Sequence, residues 1–405
     1  MPISRIVKVA AAVPVLFAAA AGFSALPALR GSFPMPPSAA CAAWNGAQPS
    51  EPQASLTGVA MLSSCQVLAV GDVLGPNNFT ALAMRFGGTS WWQQASAAPG
   101  ASSSLHALAV TSGTNGWAAG TYANANGTHA LIEYWNGTVW ARQAVPEPGR
   151  GKWSTALFGV AASSESSAWA VGNYRTRAGH LRTLIVAWNG TAWRQVASPN
   201  PGGAGRDDRL TSVTVISARD AWAVGYYQDA RSHRRVLVLH WDGSSWRQER
   251  TPSFSRSADA MLFGVTAMSA SDAWAVGYLI HPGSRTLVLH WDGRNWARQV
   301  TPDPDPSGDV LSGVAGASPS NVWAVGQSKE SSGHESGLIL HWNGVIWTQL
   351  PSPGPDSGDS ARLIAVTTSG PDDAWAVGAY RTPNGYAQGL FLHWNGRTWQ
   401  ARQER

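Results

Sequence analysis

Short apolar runs separated by tight polar turns are the dominant pattern of the chain. In one clear example the pattern predicts four short strands, at Leu262–Thr266, Ala273–Tyr278, Thr286–Trp291 and Trp296–Val300. Asp292-Gly293 separates the last two strands, and an Asp-Gly pair supplies the positive φ angles that a tight hairpin needs. The third strand reads Thr-Leu-Val-Leu-His-Trp, which is apolar on both faces. We therefore expect this strand to be packed on both sides of its sheet.

The same pattern recurs along the chain. A Trp-Ala-Val-Gly segment or a variant of it marks the second strand of each unit, and its glycines are Gly71, Gly120, Gly172, Gly225, Gly277, Gly326 and Gly378. A second signature, His-Trp-Asn/Asp-Gly-x-x-Trp, marks the hairpin that follows. It is complete from His240, His290, His341 and His393, varied from Tyr134 and Ala187, and reduced to Phe86-Gly87-Gly88 with Trp91 in the first copy. These positions hold 19 of the 22 tryptophans, so most of the tryptophan belongs to the repeat. A fixed period of this kind sets the fold.

Seven units of four antiparallel strands, buried on both faces, predict an all-β seven-bladed β-propeller over residues 56–405. The expected repeats are approximately residues 56–104, 105–155, 156–208, 209–260, 261–309, 310–361 and 362–405. Radial closure leaves only short strand edges exposed, and large Trp side chains fill the wedge between neighbouring sheets. An open β-solenoid is the alternative, which the long period and the hairpin turns disfavour.

Residues 1–40 have the pattern of a signal peptide followed by a short linker. Arg5 and Lys8 precede an apolar run from Val9 to Phe23, and a basic segment before a short apolar segment is typical of export signals. The run is short for a membrane span, and an uncleaved N-terminal anchor is the alternative. We expect a secreted, extracellular protein in which residues 41–55 form an N-terminal segment and no span follows the signal.

Only two cysteines occur, Cys41 and Cys65. In an exported protein an even pair most simply forms a disulfide, which here would tie the N-terminal segment to the first repeat. Two unpaired thiols are the alternative. With no other cysteine in the chain, zinc sites built from several thiolates are excluded.

Both the share of charged residues and the net charge are low for a protein of this length. Charged residues make up 13% of the chain, and Lys plus Arg exceed Asp plus Glu by 29 to 24, for a formal charge of +5. Arg5, Lys8 and Arg30 lie in the first 40 residues, which contain no acid, so the chain after the signal is close to neutral. A nucleic-acid partner is therefore disfavoured, because such binding needs a strongly basic surface.

The Trp-Ala-Val-Gly strand followed by the Gly-x-x-Trp hairpin resembles the repeats of secreted bacterial β-propellers of the actinobacterial type. It is also similar to the Asp-box repeats of sialidases and to the propellers of photosystem II assembly factors. The resemblance covers approximately residues 55–402 and implies the fold. The Asp-box has one residue between its Asp and its Gly, whereas Asp242 and Gly243 are adjacent here. The resemblance implies no particular activity.

Candidate metal sites have simpler structural explanations. The histidines before the hairpin, His240, His290, His341 and His393, lie on different blades, and a zinc ion needs all its ligand nitrogens within about 2.1 Å. We expect each histidine to form a hydrogen bond within its own blade. The stretch from Asp303 to Asp309 has the oxygen spacing of a calcium loop, but the twelfth position is Val314 and no helix follows. We predict no metal and no cofactor.

Catalytic motifs are not evident either. Sialidase chemistry requires a tyrosine nucleophile with an acid and an arginine cluster. The tyrosines Tyr122, Tyr174, Tyr227 and Tyr380 recur two residues after the repeat glycine, so they are interpreted as framework. We predict that the protein is not an enzyme.

Charge separates into two sectors on the loops that join the second strand to the third and one blade to the next. These loops differ between units and share one face of the disc, where binding sites on a rigid scaffold usually lie. Residues 172–256 contain 13 arginines and 6 acidic residues, whereas residues 301–373 contain 9 acidic residues beside Lys329 and Arg362.

Arginine suits carboxylate and phosphate groups. We therefore predict a monomeric, secreted binding or scaffold propeller whose partner is an extracellular anionic polysaccharide or an acidic protein. The predicted contact residues are Arg175, Arg177, Arg182, Arg231, Arg234 and Arg235. Solvated loop charge without a ligand is one alternative, and a secreted carbohydrate-active hydrolase of the sialidase-like propeller type is the other.

Overall fold

The computed structural model describes residues 53–100, 102–148, 154–280, 283–304, 308–329, 333–354, 360–382 and 385–401. The predicted signal peptide, Cys41 and a stray copy of the hairpin signature at Trp44-Asn45-Gly46 lie outside these residues. Cys65 lies in the turn after the first strand, and no described cysteine is free. The Cys41–Cys65 disulfide thus remains a prediction.

The described chain forms 28 strands in seven four-stranded sheets, the blades. Blades 1 to 4 contain β1 (Ala54–Ser63), β2 (Gln66–Leu74), β3 (Phe79–Phe86) and β4 (Trp91–Gln94); β5 (Ser102–Ser112), β6 (Asn115–Asn124), β7 (Gly127–Trp135) and β8 (Trp140–Gln143); β9 (Thr155–Ser164), β10 (Ser167–Arg175), β11 (Leu181–Trp188) and β12 (Trp193–Val196); and β13 (Asp208–Ser217), β14 (Asp220–Gln228), β15 (Arg234–Trp241) and β16 (Trp246–Gln248).

Blades 5 to 7 follow the same order. They contain β17 (Asp259–Ser269), β18 (Asp272–Ile280), β19 (Ser284–Trp291) and β20 (Trp296–Arg298); β21 (Val310–Ser318), β22 (Asn321–Lys329), β23 (Glu335–Trp342) and β24 (Trp347–Leu350); and β25 (Ala361–Gly370), β26 (Asp373–Arg381), β27 (Ala387–Trp394) and β28 (Trp399–Gln400).

Each blade is an antiparallel meander whose four strands are consecutive in the chain. We call them strands A, B, C and D. The A strands of neighbouring blades contact one another, and β1 of blade 1 contacts β25 of blade 7, so the A strands surround a central channel. The predicted seven-bladed propeller is confirmed. The A–B and C–D turns lie on one face, and the B–C and D–A loops lie on the other, which we call the variable-loop face.

Tryptophans join each blade to the next. Trp222 of strand B in blade 4 contacts Trp291 and Trp296 of blade 5, at ring-centroid distances of 5.1 and 5.2 Å. The second pair is T-shaped, with an interplanar angle of 86°, which is a favoured aromatic geometry. The same three-ring contact forms around Trp117, Trp169, Trp274 and Trp323. The repeat tryptophans therefore form the interfaces between blades.

The ring closes through the same kind of contact. Trp375 of blade 7 lies 5.0 Å from Phe86 and 5.4 Å from Trp91 of blade 1, the latter at 82°. Phe86 thus stands where the other blades have the tryptophan of strand C. The reduced hairpin signature of the first repeat still provides a complete interface, because a second aromatic ring occupies the position.

The repeat histidines bond within their own blades, as predicted. His240 lies flat on Trp222 at 4.1 Å, and its Nε2 lies 2.9 Å from Oδ1 of Asp220. His290 and His393 pair in the same way with Asp272 and Asp373. In blade 6 the partner of His341 is the amide of Asn321, at 2.9 Å.

Candidate ligand-binding site in the central channel

Each A strand has a β-bulge at the same position. In blade 4 Leu210 pairs with Gly225 and Ser212 pairs with Val224, which leaves Thr211 as the extra residue. A bulge re-aims a side chain and is a common device near binding sites. The equivalent residues, which we call the bulge ring, are Thr57, His106, Phe158, Thr211, Phe263, Ser312 and Ile364. All seven residues line one cavity of about 680 Å³ around the channel.

A constant frame holds the variable residues of the bulge ring. Each follows a leucine and precedes Gly, Ala or Ser and then Val or Leu, as in Leu311-Ser312-Gly313-Val314. A Cβ on Gly313 would lie 2.7 Å from the carbonyl oxygen of Ile364 in the next blade. Only a small residue fits there because neighbouring A strands approach closely. The bulge residue is thus the position of this motif at which size and chemistry vary most among the seven blades.

Three side chains of blades 2, 3 and 4 form a stack in the cavity. The imidazole of His106 lies parallel to the ring of Phe158, with centroids 5.2 Å apart and an interplanar angle of 7°. The guanidinium of Arg209 also packs on Phe158, with its Cζ 3.9 Å from the ring centroid. Burial lowers the pKa of His106, and its Nδ1 lies 3.0 Å from the carbonyl oxygen of Leu157. Burial therefore favours the neutral imidazole, and Arg209 provides the positive charge of the stack.

Arg209 is unusual among the arginines of this region. It forms no hydrogen bond or ion pair with the residues that the structure describes, and its Nε is buried without a partner. A buried donor without an acceptor costs free energy unless a ligand or water satisfies it. The guanidinium is held in place by stacking and lines the cavity, and its terminal N–H groups, which bond to no described residue, are the donors that a ligand there can use.

A second cationic side chain reaches the cavity from the same sector. Arg234, at the start of β15, lies with its Cζ 5.7 Å from the ring centroid of Tyr226, and both residues line the cavity. Its backbone N–H donates to Oδ1 of Asp259 at 3.0 Å.

Tyr278 stands beside Phe263, with ring centroids 5.5 Å apart. Burial raises the pKa of Tyr278, so its phenol stays protonated.

The other predicted arginines have different surroundings. Arg175 donates to the carbonyl oxygen of Gly179 within its own loop, and Arg182 donates to that of Gly203. Arg235 bonds to the carboxylate of Asp229 at 2.7 Å and to the backbone of the following D–A loop. These three side chains fix loops. Arg177 and Arg231 are exposed, and their guanidinium groups bond to no described residue. Arg234 alone of the six lines the channel cavity.

Sequence reasoning missed the bulge ring and the role of Arg209. Phe158 and Phe263 follow the pattern of ordinary apolar strand residues, and His106 and Thr211 show no catalytic or metal-binding spacing. The available signal is the constant motif itself. Its second position changes from Thr to His, Phe, Ser and Ile while the residues around it stay nearly the same.

The acidic sector also has structural uses. Asp303 accepts bonds from the backbone N–H and the hydroxyl of Thr286, at 2.8 and 2.7 Å. Within the described ranges, no cluster of three or more His, Cys, Asp or Glu has the geometry of a metal site. No helix in those same ranges has the length and apolarity that a membrane span requires.

No protein-family model matches the chain, and no curated protein sequence matches it. Among solved structures it is similar to an ulvan lyase of polysaccharide lyase family PL25. The identity is 8%, with 87% of this chain and 93% of the lyase covered and a TM-score of 0.52. The fucose-specific lectin of Aleuria aurantia shares 14% identity over 72% of this chain and 93% of the lectin, with a TM-score of 0.43. The Trypanosoma rangeli sialidase shares 9% identity over 84% of this chain and 54% of the sialidase chain, with a TM-score of 0.42. The likeness is one of propeller fold.

Proposed function

We propose that the protein is a non-enzymatic, carbohydrate-binding propeller that holds an acidic saccharide in the central channel, near the variable-loop face. The observation that carries this proposal is Arg209, an unpaired cation stacked on Phe158 inside a cavity. A guanidinium offers two parallel N–H donors to a carboxylate, and this pairing is strongest where water is partly excluded. An acidic group on the ligand would satisfy the donors that the protein leaves unpartnered.

The aromatic rings of the cavity support a sugar as the ligand. Phe158, Phe263 and Tyr226 give apolar surface, and Arg209 and Arg234 give directed polar groups. Small-molecule sites typically combine these features in a cavity of about 300–1,000 Å³. The similar lyase fold was solved with -[GlcA(1-4)Rha3S]-, at 9% identity and a TM-score of 0.51, and that description supports an acidic saccharide as the class of ligand to test.

The lining of the cavity favours binding over hydrolysis. Most glycoside hydrolases use a pair of Asp or Glu side chains on either side of the scissile bond. No carboxylate is among the described residues that line this cavity. We keep a binding role as the proposal, and we expect a secreted monomer whose partner is an extracellular polysaccharide.

Binding and hydrolysis can be separated in one experiment. The full chain is titrated by calorimetry with oligosaccharides that contain glucuronic acid and with the same oligosaccharides after reduction of the carboxylate to an alcohol. The proposal predicts that the acidic series binds, that the neutral series binds at least tenfold more weakly, and that the acidic sugars remain intact by mass spectrometry. Cleavage of the sugars would favour the hydrolase, and equal binding of both series would overturn the acidic specificity.

A further inference from the structure

A second cavity lies between blades 2 and 3 on the face opposite the variable loops. Its volume is about 470 Å³, and residues of the A–B and C–D turns form its rim. Three aromatic rings bound it: Trp117 and Tyr134 of blade 2 and Trp188 of blade 3. Trp117 lies 4.9 Å from each of the other two, at interplanar angles of 52° and 55°. We call this cavity the blade 2–3 cage.

The cage lies where the sequence departs from the histidine repeat. In blade 4 the imidazole of His240 lies nearly flat on Trp222, at 4.1 Å and 23°. Tyr134 takes the place of that histidine in blade 2, and its ring is tilted away because its hydroxyl bonds with Asn115 and with the carbonyl oxygen of Thr114. The neighbouring blade has Ala187 at the same position. Neither blade therefore places an imidazole, which can carry a positive charge, beside this cavity.

A carboxylate stands at the rim of the cage. The indole Nε1 of Trp188 donates to the backbone oxygen of Glu165 at 3.1 Å, which places Glu165 beside this aromatic wall. The side chain of Glu165 is exposed and forms no hydrogen bond or ion pair with the described residues. No Lys or Arg is among the described residues that line the cavity. Its electrostatic character is thus negative, from the Glu165 carboxylate and from the partly exposed rings of Tyr134 and Trp188, since Trp117 is buried.

Aromatic faces attract cations, and a group of such rings with a nearby carboxylate suits a quaternary or methylated ammonium ion. We propose that the blade 2–3 cage binds an organic ammonium group. Trp188 and Tyr134 would contact its alkyl substituents, and Glu165 would balance its charge. This site is separate from the central channel and does not depend on the proposed saccharide ligand.

The test uses the full chain and tetramethylammonium chloride as the probe, with neutral tert-butanol of similar shape as the charge control. Ligand-observed NMR saturation transfer gives the affinity through the methyl signal. The proposal predicts saturable binding of tetramethylammonium and at least tenfold weaker binding of tert-butanol. Glu165→Gln is expected to weaken tetramethylammonium about threefold or more, while Glu249→Gln, which removes an acid from a loop on the other face, leaves the affinity unchanged.

A second variant tests the role of the missing histidine. Tyr134→His installs the residue that four other blades carry, so the fold is expected to tolerate it. Binding should weaken more at pH 6 than at pH 8, because the new imidazole becomes positively charged at the lower pH. The proposal is overturned if tetramethylammonium does not bind saturably, if tert-butanol binds equally well, or if neither Glu165→Gln nor Tyr134→His changes the affinity.

Discussion

The guanidinium of Arg209 rests on the ring of Phe158, with Cζ 3.9 Å from the centroid, although the two residues come from neighbouring blades. Phe158 is the bulge residue of its A strand, Arg209 lies two residues before the bulge residue Thr211, and both Phe158 and Arg209 line the central cavity. The contact holds the cation without an anion. In the loops, by contrast, Arg182 and Arg235 are bonded to carbonyl and carboxylate oxygens, and Arg177 and Arg231 are exposed to solvent.

Replacing Phe158 tests whether stacking positions Arg209. Phe158→Ala is expected to weaken binding of an acidic saccharide about tenfold, because the guanidinium loses its support. The variant should still fold, since Phe158 is only partly buried. Calorimetry measures the affinity and thermal unfolding measures the stability. Phe158→Tyr, which keeps the ring, serves as the control and should bind like the natural protein; a loss of affinity in this control as large as in Phe158→Ala would contradict the positioning role.

The interface between blades 7 and 1, which closes the ring, should stabilise the fold as much as the interface between blades 4 and 5. Trp91 contacts Trp375 across the closure in the same T-shaped manner as Trp296 contacts Trp222 between blades 4 and 5. Trp91→Ala and Trp296→Ala are each expected to lower the free energy of unfolding by about 3–5 kcal/mol. Urea denaturation of the two variants gives the comparison. A much smaller loss for Trp91→Ala would show that the ring closes differently from its other interfaces.

Blade 6 should carry an acid-sensitive histidine. Burial lowers the pKa of His341, whose partner is the neutral Asn321. The folded state therefore binds a proton there less readily than the unfolded state, and stability falls as the pH drops below about 6.5. Asn321→Asp restores the carboxylate found in blade 4 and is expected to reduce this loss. Thermal unfolding of the natural protein and the variant between pH 5 and 8 measures this loss of stability.

The matched change is Asp220→Asn in blade 4, which places an amide beside His240. It should make the protein more sensitive to acid. Identical pH profiles for the natural protein and both variants would show that these pairs do not contribute to the pH dependence of folding.

Asp208 should make folding less stable as the pH rises, which is opposite to the effect of His341. Its carboxyl is fully buried, and burial raises its pKa to about 6, against the bond donated by the Gly202 N–H and the nearby Arg182. The folded state thus favours the protonated acid, and this contribution to stability is lost as the pH rises through 6. Asp208→Asn is expected to remove about 1–2 kcal/mol of pH dependence between pH 5 and 7.5. Urea denaturation at both pH values measures the difference, and an unchanged difference in the variant would contradict this prediction.

The repeat made the fold predictable because its signature residues have fixed structural roles. Trp222 and its counterparts fill the wedges, Gly225 and its counterparts accept the close approach of strand A, and Gly243 adopts the positive φ of 90° that its hairpin requires. A Cβ on Gly225 would lie 2.0 Å from the carbonyl oxygen of Arg209. Such positions tolerate few substitutions, so they stand out in the sequence.

The channel could not be predicted in the same way. Which residue projects into it depends on a bulge, and a bulge shifts the alternation of a strand by one residue without a distinctive sequence. The partners of an arginine are also set in three dimensions. Arg235 and Arg231 are neighbours in one basic segment, yet the first is bonded to Asp229 and to a loop backbone, and the second is exposed.

The central claim is that Arg209 binds the acidic group of a saccharide. The most direct measurement compares the natural protein, Arg209→Gln and Arg177→Gln by calorimetric titration with a glucuronic acid oligosaccharide at low and high salt. Both variants lose one positive charge, but only Arg209 lies in the cavity. The account predicts that Arg209→Gln lowers the affinity at least tenfold and reduces its salt dependence, while Arg177→Gln binds like the natural protein. Equal affinities for all three proteins would contradict it.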